Sequence, residues 1–451
     1  MFSLEELSKK ISDGSAKVGV IGLGYVGLPL AILMSKRFKV VGFEKSKEII
    51  EQLKNGKSPF TDVTESLLTE RLGNTLLLSD NEKDLGDCDF LIICVPTPLD
   101  YEKKPDLSYI KTACRSIQTF LKKGQFVILE STSYPGTTEE IMIPLFEKSG
   151  LKAGEDFGVA YSPERVDPGN KKFKVENIPK VVGGINETCT EIAAKLYESV
   201  LEAKVIRTRD CKTAEAAKIA ENIFRDVNIA LANELALIFE RMGINAWEVI
   251  DIACTKPFGF MPFYPGAGVG GHCIPLDPLY LSYQAKKYEF IPRFIELSGE
   301  INDFMPIHTI NLLIEGLKRV NKKITKSTIT IFGIAYKRDV KDTRESPSRI
   351  IIEQIISSGG NAKIFDPFAK EIETKYGKYK SEKDAEQAVK NSDAIVIVVD
   401  HTIFTEEFLS NLIKTMDEPV IVDCKNVLKE GLKGICEDGI YLGIGKPNHS
   451  E

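Results

Sequence analysis

Two parts of the chain alternate short apolar runs with longer amphipathic ones. In the first part, from Lys17 to about Thr208, the runs that we predict as strands are KVGVIG, KVVGF, DFLIICVP, QFVILES, GVAYS and KVIRT. In the second part, from Ser327 onward, they are TITIFGIAY, NAKIFDP, AIVIVVDH, PVIVDC and YLGIG. Strands that alternate with helices predict parallel sheets with helices on both faces. The pattern therefore predicts two Rossmann-like α/β domains, the second smaller than the first.

The sequence between these parts, from Cys211 to about Leu297, has a helical pattern. The run KTAEAAKIAENIFRDVNIALANELALIFERMG is rich in Ala, Leu and Glu and spaces apolar residues three and four apart, which predicts one long helix. A helix of this length is typical of a domain connection or a dimer interface. We therefore predict an N-terminal domain over residues 1–208, a central helical dimerisation region over 209–312 and a C-terminal domain over 313–451, in a homodimer or larger homo-oligomer.

Composition narrows the class of protein. The length of 451 residues suits two or three domains, and 43% hydrophobic with 27% charged residues is typical of a soluble globular protein. A formal net charge of -6 argues against a nucleic-acid partner. The start, MFSLEELSKKISDGS, is acidic and amphipathic and lacks the regions of a signal peptide, and no apolar run is long enough to span a bilayer. We predict a cytoplasmic protein with no membrane partner.

The cysteines and histidines predict neither disulfides nor a metal site. Nine cysteines lie at irregular intervals without a CxxC pair. His272 and Cys273 are adjacent, but the other three histidines are scattered without ligand spacing. Free cysteines are often small core residues, and we interpret eight of the nine in this way. These eight are Cys88, Cys94, Cys114, Cys189, Cys211, Cys254, Cys424 and Cys436.

The segment VGVIGLGYVG places Gly22, Gly24 and Gly27 in G-x-G-x-x-G spacing. The spacing alone is a weak signal, but here it follows a predicted strand and opens a predicted helix. Glycines allow a tight turn close to a pyrophosphate, which the N–H groups at the helix start can bind. Glu44 follows the next strand and can accept hydrogen bonds from the adenosine ribose, which favours NAD over NADP, although two nearby lysines weaken that inference. We predict an NAD site, with a glycine turn of some other α/β fold as the alternative.

Further cofactor contacts are predicted around this turn. Tyr25 and Val26 lie within it. Thr97 and Thr132 each follow a predicted strand, and ligands of open α/β sheets bind at the carboxyl ends of strands. Both threonines are therefore candidates to contact nicotinamide or ribose, and ordinary turn chemistry is an equal alternative.

Cys273 lies in the glycine-rich loop GAGVGGHCIPLDP rather than in a strand or an apolar helix face. A nucleophilic cysteine reacts as its thiolate and needs a charged or hydrogen-bonding neighbour. Asp277 lies four residues further on. In an NAD enzyme such a cysteine indicates aldehyde oxidation through a thioester. The local features leave nucleophile and packed thiol balanced.

At this loop the sequence resembles a known family. GVGGHCIPLDP, together with VIGLGYVGLP, VPTP, ESTSYPGTT, SPERVDPG, NELA and YKRDVKDTRESP, resembles the UDP-glucose/GDP-mannose dehydrogenases, in order and over almost the whole chain. The resemblance implies an N-terminal NAD-binding domain, a central helical dimerisation segment and a C-terminal domain that holds a nucleotide sugar. It also implies oxidation of the sugar C6 hydroxyl to a carboxylate with two NAD in succession.

The resemblance further implies roles for individual residues. Cys273 matches the nucleophile, which forms a thiohemiacetal with the aldehyde and then a thioester that water cleaves. Lys218 and Asn222, four residues apart on one helix face, would stabilise the oxyanion. The C6 proton would pass to Lys218 or to a water held by Asp277, and Thr132 would help to position water. The matching positions also include an NAD contact at Arg344 and substrate contacts at Glu164, Arg165, Lys218, Asn222, Tyr264, Pro265, Gly266, Gly270 and Lys337.

Two departures from the UDP-glucose dehydrogenases indicate the sugar. Arg165 in SPERVDPGN replaces an aromatic residue, and Leu276 in CIPLD replaces a lysine that lies near NAD. Both resemble the UDP-N-acetylhexosamine branch, and the sequence around Cys273 most resembles UDP-N-acetylglucosamine 6-dehydrogenases of surface-polysaccharide pathways. UDP-N-acetylmannosamine, UDP-N-acetylgalactosamine and UDP-glucose are the alternative substrates. Arg165 would contact the pyrophosphate or acetamido group, with a surface ion pair as an equal alternative.

Two other classes of function compete with this one. Single-step β-hydroxyacid dehydrogenases share the Rossmann–helix layout but need no cysteine. A non-catalytic nucleotide-sugar binder would have no use for a nucleophile.

Overall fold

The computed structural model describes residues 4–60, 63–167, 170 and 172–447. Pro168 and Gly169 of the SPERVDPG motif lie outside the described residues. The chain forms two compact units. The first holds the chain up to Glu221 together with Leu279–Ile291, and the second holds Asn222–Pro278 and the chain from Pro292 onward.

The first unit contains an eight-stranded sheet in the order β3-β2-β1-β4-β5-β6-β7-β8. Neighbouring strands run parallel except β6 and β7, which are antiparallel. The central strands β4 (FLII) and β5 (FVIL) are buried along their whole length, as expected where helices cover both faces. The strands are β1 Lys17–Ile21, β2 Lys39–Phe43, β3 Leu76–Ser79, β4 Phe90–Ile93, β5 Phe126–Leu129, β6 Gly158–Tyr161, β7 Lys180–Gly184 and β8 Val205–Arg207.

Seven helices accompany this sheet in the described chain. The first of them buries Leu7 and Ile11, in agreement with their helical spacing in the sequence. A π-helical turn over Thr138–Met142 precedes the sixth helix. The helices are α1 Leu4–Asp13, α2 Gly27–Ser35, α3 Lys47–Lys54, α4 Glu65–Arg71, α5 Ser108–Gln118, α6 Ile143–Phe146 and α7 Glu187–Glu198.

The predicted long helix is α8, Cys211–Met242, with 32 residues. It contributes residues to both units. Three helices follow it before the second sheet, α9 Ala246–Cys254, α10 Asp277–Lys287 and α11 Arg293–Arg319. The cysteine loop, residues 266–276, is the last part of the segment between α9 and α10.

The second unit contains a five-stranded parallel sheet in the order β10-β9-β13-β14-β15, and a separate antiparallel hairpin β11-β12. The strands are β9 Thr328–Phe332, β10 Asn361–Phe365, β11 Glu371–Thr374, β12 Gly377–Lys380, β13 Ala394–Ile397, β14 Val420–Asp423 and β15 Ile440–Gly443. The accompanying helices are α12 Pro347–Ser357, α13 Ala385–Val389 and α14 Glu406–Ile413.

The predicted fold class is confirmed, because two Rossmann-like sheets and one long helix are present. All eleven predicted strands form. The prediction omitted β3, β7 and the hairpin, and it did not anticipate the antiparallel β6–β7 pair. The two boundaries between the three predicted domains stay a prediction.

Candidate functional site

The glycine turn lies between β1 and α2. A Cβ atom on Gly27 would lie 1.8 Å from the carbonyl oxygen of Gly22, and one on Gly22, whose φ is +90°, would lie 2.7 Å from that of Cys94. Both positions therefore require glycine. A Cβ on Gly24 would meet nothing within 4 Å. This open side of the turn is the cradle that a pyrophosphate needs to approach backbone N–H groups and the positive end of α2, so the residues present fit NAD.

Glu44 directly follows β2 and holds the turn. One of its carboxylate oxygens accepts the N–H of Leu23 and the other that of Ser46, both at 2.9 Å. Each oxygen has a further lone pair, so the carboxylate can still accept from ribose hydroxyls. The Tyr25 ring packs on Phe60 with 4.5 Å between centroids.

Thr97 and Thr132 follow β4 and β5 at the carboxyl edge of the first sheet. Thr97 is buried, and its carbonyl oxygen accepts the Tyr280 hydroxyl. Thr132 is half-buried. The two loops are joined because Ser131 Oγ donates to the Val95 carbonyl oxygen at 2.7 Å. Both threonines therefore lie at the edge where this type of sheet binds ligands.

A cavity of about 400 Å³ opens in the first unit among residues that the sequence did not single out. Its walls come from the loop after β4, the start of α5, the loop after β5 and α10. Tyr134 and Tyr283 complete the wall from distant parts of the chain, and no motif marks the cavity. Its lining includes Asp106, Ser108, Lys111, Arg115, Tyr134 and Tyr283.

Glu164 belongs to a buried cluster of charges in the first unit. The Lys180 ammonium lies 2.9 Å from Glu130 Oε2 and 3.2 Å from Glu164 Oε2, and the Tyr197 hydroxyl donates to Glu130. Burial raises the pKa of Glu130. Burial opposes the charge of Glu164 as well, but Lys180 and two backbone N–H groups outweigh it and lower the pKa of that carboxyl. The carboxylate of Glu164 therefore fixes its own loop.

Arg165 follows in the same loop. Its guanidinium forms an ion pair with Glu221 at 2.6 Å and donates through Nη1 to the Pro179 carbonyl oxygen at 2.7 Å. Nε also donates to Glu221 at 3.2 Å. These contacts favour the ion-pair interpretation of Arg165 over a direct substrate contact.

Asn222, Cys273 and Asp277 come together in the second unit. Asn222 Nδ2 donates to Asp277 Oδ2, and the Asp277 N–H donates to the Cys273 carbonyl oxygen at 2.9 Å. Asn222 and Asp277 are buried, whereas Cys273 is exposed. Lys218, also buried, lies one turn before Asn222 on α8. An exposed cysteine is thus bonded through its backbone to one member of a buried amide–carboxylate pair.

The glycines of the cysteine loop lie against other parts of the same unit. A Cβ on Gly271, whose φ is +85°, would lie 2.8 Å from the Tyr336 ring, and one on Gly270 would lie 2.9 Å from Tyr336 Cβ. The Gly271 N–H donates to the Arg344 carbonyl oxygen at 3.2 Å. Burial lowers the pKa of the neighbouring His272, with Arg344 acting in the same direction.

Lys337 and Arg344 lie in the loop after β9. The Lys337 ammonium lies 5.7 Å from the centre of the Tyr336 ring. The Arg344 guanidinium pairs with Asp342 at 2.6 Å.

The residues that hold the loop after β9 were not identified from the sequence. His401 is buried and accepts the Asp339 N–H at Nδ1, 2.9 Å away, so its Nε2 donates to Asp366 at 3.0 Å. The pKa of Asp366 is lowered because the hydrogen bond from His401 and those from backbone N–H groups outweigh the effect of burial. In the sequence, the only signal for Asp366 and His401 is that each follows a predicted strand, in NAKIFDP and AIVIVVDH.

Tyr264 and Pro265 lead into the cysteine loop. The Tyr264 ring stacks on Trp247 with 5.3 Å between centroids. Its hydroxyl donates to Asp251 at 2.6 Å, which raises the pKa of Tyr264 to about 12. Pro265 and Gly266 are buried, whereas Leu276 is half-buried.

The cysteine predictions have one clear error. Six of the eight presumed core cysteines are buried, and Cys436 is half-buried. Cys254 is exposed, because it is the last residue of α9, beyond the buried positions Ala246 and Ile250. In the described ranges no group of three His, Cys, Asp or Glu side chains could hold a metal ion. No described helix is both long and apolar enough to cross a membrane.

A glycine turn built for a dinucleotide and a loop that exposes a thiol beside Asn222 and Asp277 define the class of protein, an NAD-dependent dehydrogenase. Family models then match three successive segments. Residues 16–201 match the NAD binding domain, 212–304 the central domain and 330–430 the UDP binding domain of the UDP-glucose/GDP-mannose dehydrogenase family. The chain belongs to this family.

Individual relatives agree with this assignment. The chain is 38% identical to a UDP-N-acetyl-D-mannosamine dehydrogenase of Pyrococcus horikoshii, over 95% of this chain and 99% of the relative. It is also 38% identical to a UDP-N-acetyl-D-glucosamine 6-dehydrogenase of Pseudomonas aeruginosa, over 92% and 97%. A solved structure of a UDP-D-ManNAc dehydrogenase from Pyrococcus horikoshii superposes with a TM-score of 0.88 at 36% identity, covering 96% of this chain and all of that one.

Proposed function

We propose that the protein oxidises C6 of a UDP-N-acetylhexosamine to the carboxylate, with UDP-N-acetylglucosamine as its substrate and surface polysaccharide as the destination of the product. The observation that carries the reaction type is the exposed Cys273 beside the Asn222–Asp277 pair. Arg165 and Leu276 support an N-acetylated sugar, as do the relatives that act on such sugars. UDP-N-acetylmannosamine is the second candidate, because a relative named for it is as similar to this chain as one named for the glucosamine.

The chemistry needs two oxidations at one carbon. NAD bound at the glycine turn supplies the hydride acceptor for each. Between them the Cys273 thiolate adds to the C6 aldehyde, forming a C–S bond and an alkoxide. The second oxidation leaves a thioester, and water cleaves its C–S bond to release the carboxylate and the thiol. Two NAD and one water are therefore consumed for each sugar.

Three residues, Asn222, Lys218 and Asp277, would serve this covalent step. The Asn222 amide has two N–H groups, and the one bound to Asp277 fixes its orientation. We assign the second N–H and the Lys218 ammonium to the alkoxide. Loss of one such donor costs about two to three orders of magnitude in kcat in other acyl-transfer enzymes. The C6 proton passes to a water held by Asp277 or to the Lys218 amine.

The test is turnover with NAD and four separate sugars, UDP-N-acetylglucosamine, UDP-N-acetylmannosamine, UDP-N-acetylgalactosamine and UDP-glucose. We expect the highest kcat/KM with the first, two NADH per sugar, and a product whose mass is that of the uronate. A higher kcat/KM with UDP-N-acetylmannosamine would identify that sugar, the second candidate, as the substrate. No NADH with any UDP-N-acetylhexosamine would refute the proposal.

Cys273→Ser tests the covalent step. We expect the variant to lose carboxylate formation by at least about three orders of magnitude. Cys254→Ser is the matched control, since Cys254 is the other exposed cysteine in the described chain. If Cys273→Ser still makes two NADH per sugar, the thioester route is wrong.

We also propose that α8 mediates self-association. Phe224, Leu231 and Ile238, spaced seven residues apart on this helix, are 49%, 50% and 44% exposed. Such a row of exposed apolar side chains suits burial against a second copy. Light scattering on the purified protein measures the mass of the assembly, and a monomer at micromolar concentration would contradict this assignment.

A further inference from the structure

A chain of buried hydrogen bonds connects α8 and α11 to the cysteine loop. Asn302 Nδ2 donates to Asp226 Oδ1 at 2.9 Å, and Asn233 Nδ2 donates to Asn302 Oδ1 at 2.9 Å. The Gly266 N–H then donates to Asn233 Oδ1 at 3.0 Å. Ser298 Oγ donates to the other oxygen of Asp226 at 2.6 Å. We call Asp226, Asn302 and Asn233 the amide relay, and all three are at most 5% exposed.

The acid at one end sets the direction of every bond in the amide relay. A carboxylate only accepts hydrogen bonds, so Asn302 must turn its NH₂ group towards Asp226. Its carbonyl oxygen then faces Asn233, which must in turn present its own NH₂ group there. The oxygen of Asn233 is thereby left for the Gly266 N–H. In a buried network each of these orientations is costly to reverse, because two donors or two acceptors would then face each other.

Gly266 begins the segment that carries Cys273. The loop is held at this end by Asn233 and further along by the bond from the Gly271 N–H to the Arg344 carbonyl oxygen. We propose that the amide relay positions the cysteine loop, so that Asp226 and Asn302 are positioning residues for the reaction at Cys273. This inference rests on the proposed function, and neither residue needs to touch the substrate.

Asn233→Asp replaces the NH₂ group that donates to Asn302 Oδ1 with a carboxylate oxygen. The new carboxylate at position 233 still accepts the Gly266 N–H, but it opposes the oxygen of Asn302. If Asn302 turns over, its oxygen meets the carboxylate of Asp226, so at a pH where both carboxylates are ionised the conflict moves without being relieved. Adding Asp226→Asn relieves the conflict between the side chains, because the amide of Asn302 can then donate to position 233 and accept from position 226. Only the longer bond from Asn302 Nδ2 to the carbonyl oxygen of residue 226, 3.3 Å in the natural protein, is lost.

The coupling between these two substitutions is the measured quantity. We expect Asn233→Asp to lower kcat by about 10- to 100-fold, the range of a small misplacement of reacting groups. The double variant Asp226→Asn/Asn233→Asp should return kcat to within about threefold of the natural protein, whereas independent structural roles would make the two losses add. Additive losses, or an unchanged kcat in Asn233→Asp, would overturn the proposal.

A second readout does not depend on the substrate. The rate of Cys273 alkylation by iodoacetamide, resolved from Cys254 by peptide mass, reports the surroundings of the thiol. We expect Asn233→Asp to change this rate by at least about threefold, and the double variant to restore it. If no nucleotide sugar is turned over, the proposed function fails while this measurement still tests the amide relay, and an unchanged rate would overturn it.

Two controls separate positioning from stability. Thr330→Val removes a buried hydrogen bond to Ser392, 2.7 Å long, in the second sheet, and should lower Tm without changing kcat or alkylation. If Asn233→Asp does not fold, the exchange Asp226→Asn/Asn302→Asp keeps the order of donors and acceptors towards Gly266. Its kcat should stay within about threefold of the natural protein, and a loss of about tenfold or more would refute the inference.

Discussion

Lys180 is the cation that two buried carboxylates share, and replacing it with methionine removes the charge while keeping a long apolar stem. Its side chain is 5% exposed, and those of Glu130 and Glu164 are 0% and 13% exposed. Removing one partner of a buried ion pair costs about 3 to 5 kcal/mol. In a unit of 150 to 250 residues 1 kcal/mol corresponds to about 2 to 4 °C, so we expect Tm to fall by about 6 to 20 °C at pH 8.

The loss of stability in the Lys180→Met variant should depend on pH in a defined direction. Burial raises the pKa of Glu130 even with the cation present, and without Lys180 only two backbone N–H groups oppose the same effect at Glu164. The folded variant then holds protons that the unfolded chain has already released. Its stability therefore increases as pH falls towards the ordinary carboxyl range, and the difference from the natural protein is smaller at pH 5 than at pH 8.

Calorimetry at pH 5 and pH 8 measures both effects. Lys122→Met is the control, because Lys122 pairs with Asp87 at 3.1 Å in the same unit, with side chains 55% and 84% exposed. Its Tm should change by no more than about 2 °C. A Lys180→Met protein within about 2 °C of the natural one at pH 8, or a loss equal at both pH values, would refute this account.

Two other positions give expectations of the same kind. Burial raises the pKa of Glu215 to about 7, so the folded state keeps a proton that the unfolded chain loses, and stability falls by about 3 kcal/mol as pH rises from about 4.5 to 7. Glu215→Gln should flatten this slope in urea titrations; an unchanged slope would contradict it. Gly271→Ala should cost about 1 to 3 kcal/mol more in unfolding free energy than Gly434→Ala, because both have positive φ but only Gly271 would press on Tyr336. Equal losses would mean that the positive φ of Gly271, and not its contact with Tyr336, requires glycine at that position.

The elements that the sequence predicted are those with a local signal. The long helix α8 and the strands of both sheets carry a period of 3.6 or a compact apolar run, and the glycine turn combines its spacing with a strand before it and a helix after it. The missed strand β3, LLLS, has no β-branched or aromatic residue, and β7 ends in two glycines, which weaken a strand pattern. Cys254 was misassigned because composition alone does not show where a buried helix face ends.

The contacts of the candidate site have no local signal. Asn222 and Asp277 are 55 residues apart, Lys180 and Glu130 are 50 apart, and Asp226 and Asn302 are 76 apart. Each pair exists because packing brings two elements together, and no spacing rule links them. The resemblance to a family pointed to Asn222 and Asp277. It did not point to Lys180 or to the amide relay, whose members only hold other residues in place.

The glycines show how the structure changes a functional interpretation. The resemblance to a family placed two of those near Cys273, Gly266 and Gly270, among the substrate contacts. At Gly270 and Gly271, however, an added Cβ would strike Tyr336, so packing within the second unit is sufficient to require glycine there. Gly24 differs, because its added Cβ would meet nothing. Gly434 and several other glycines also lie beside open space, so such room supports a ligand only where it lies between a strand and the start of a helix, as it does at the dinucleotide turn. The role of the cysteine loop is then to place Cys273. The groups that hold the loop at Gly266 and Gly271 therefore contribute to the proposed reaction.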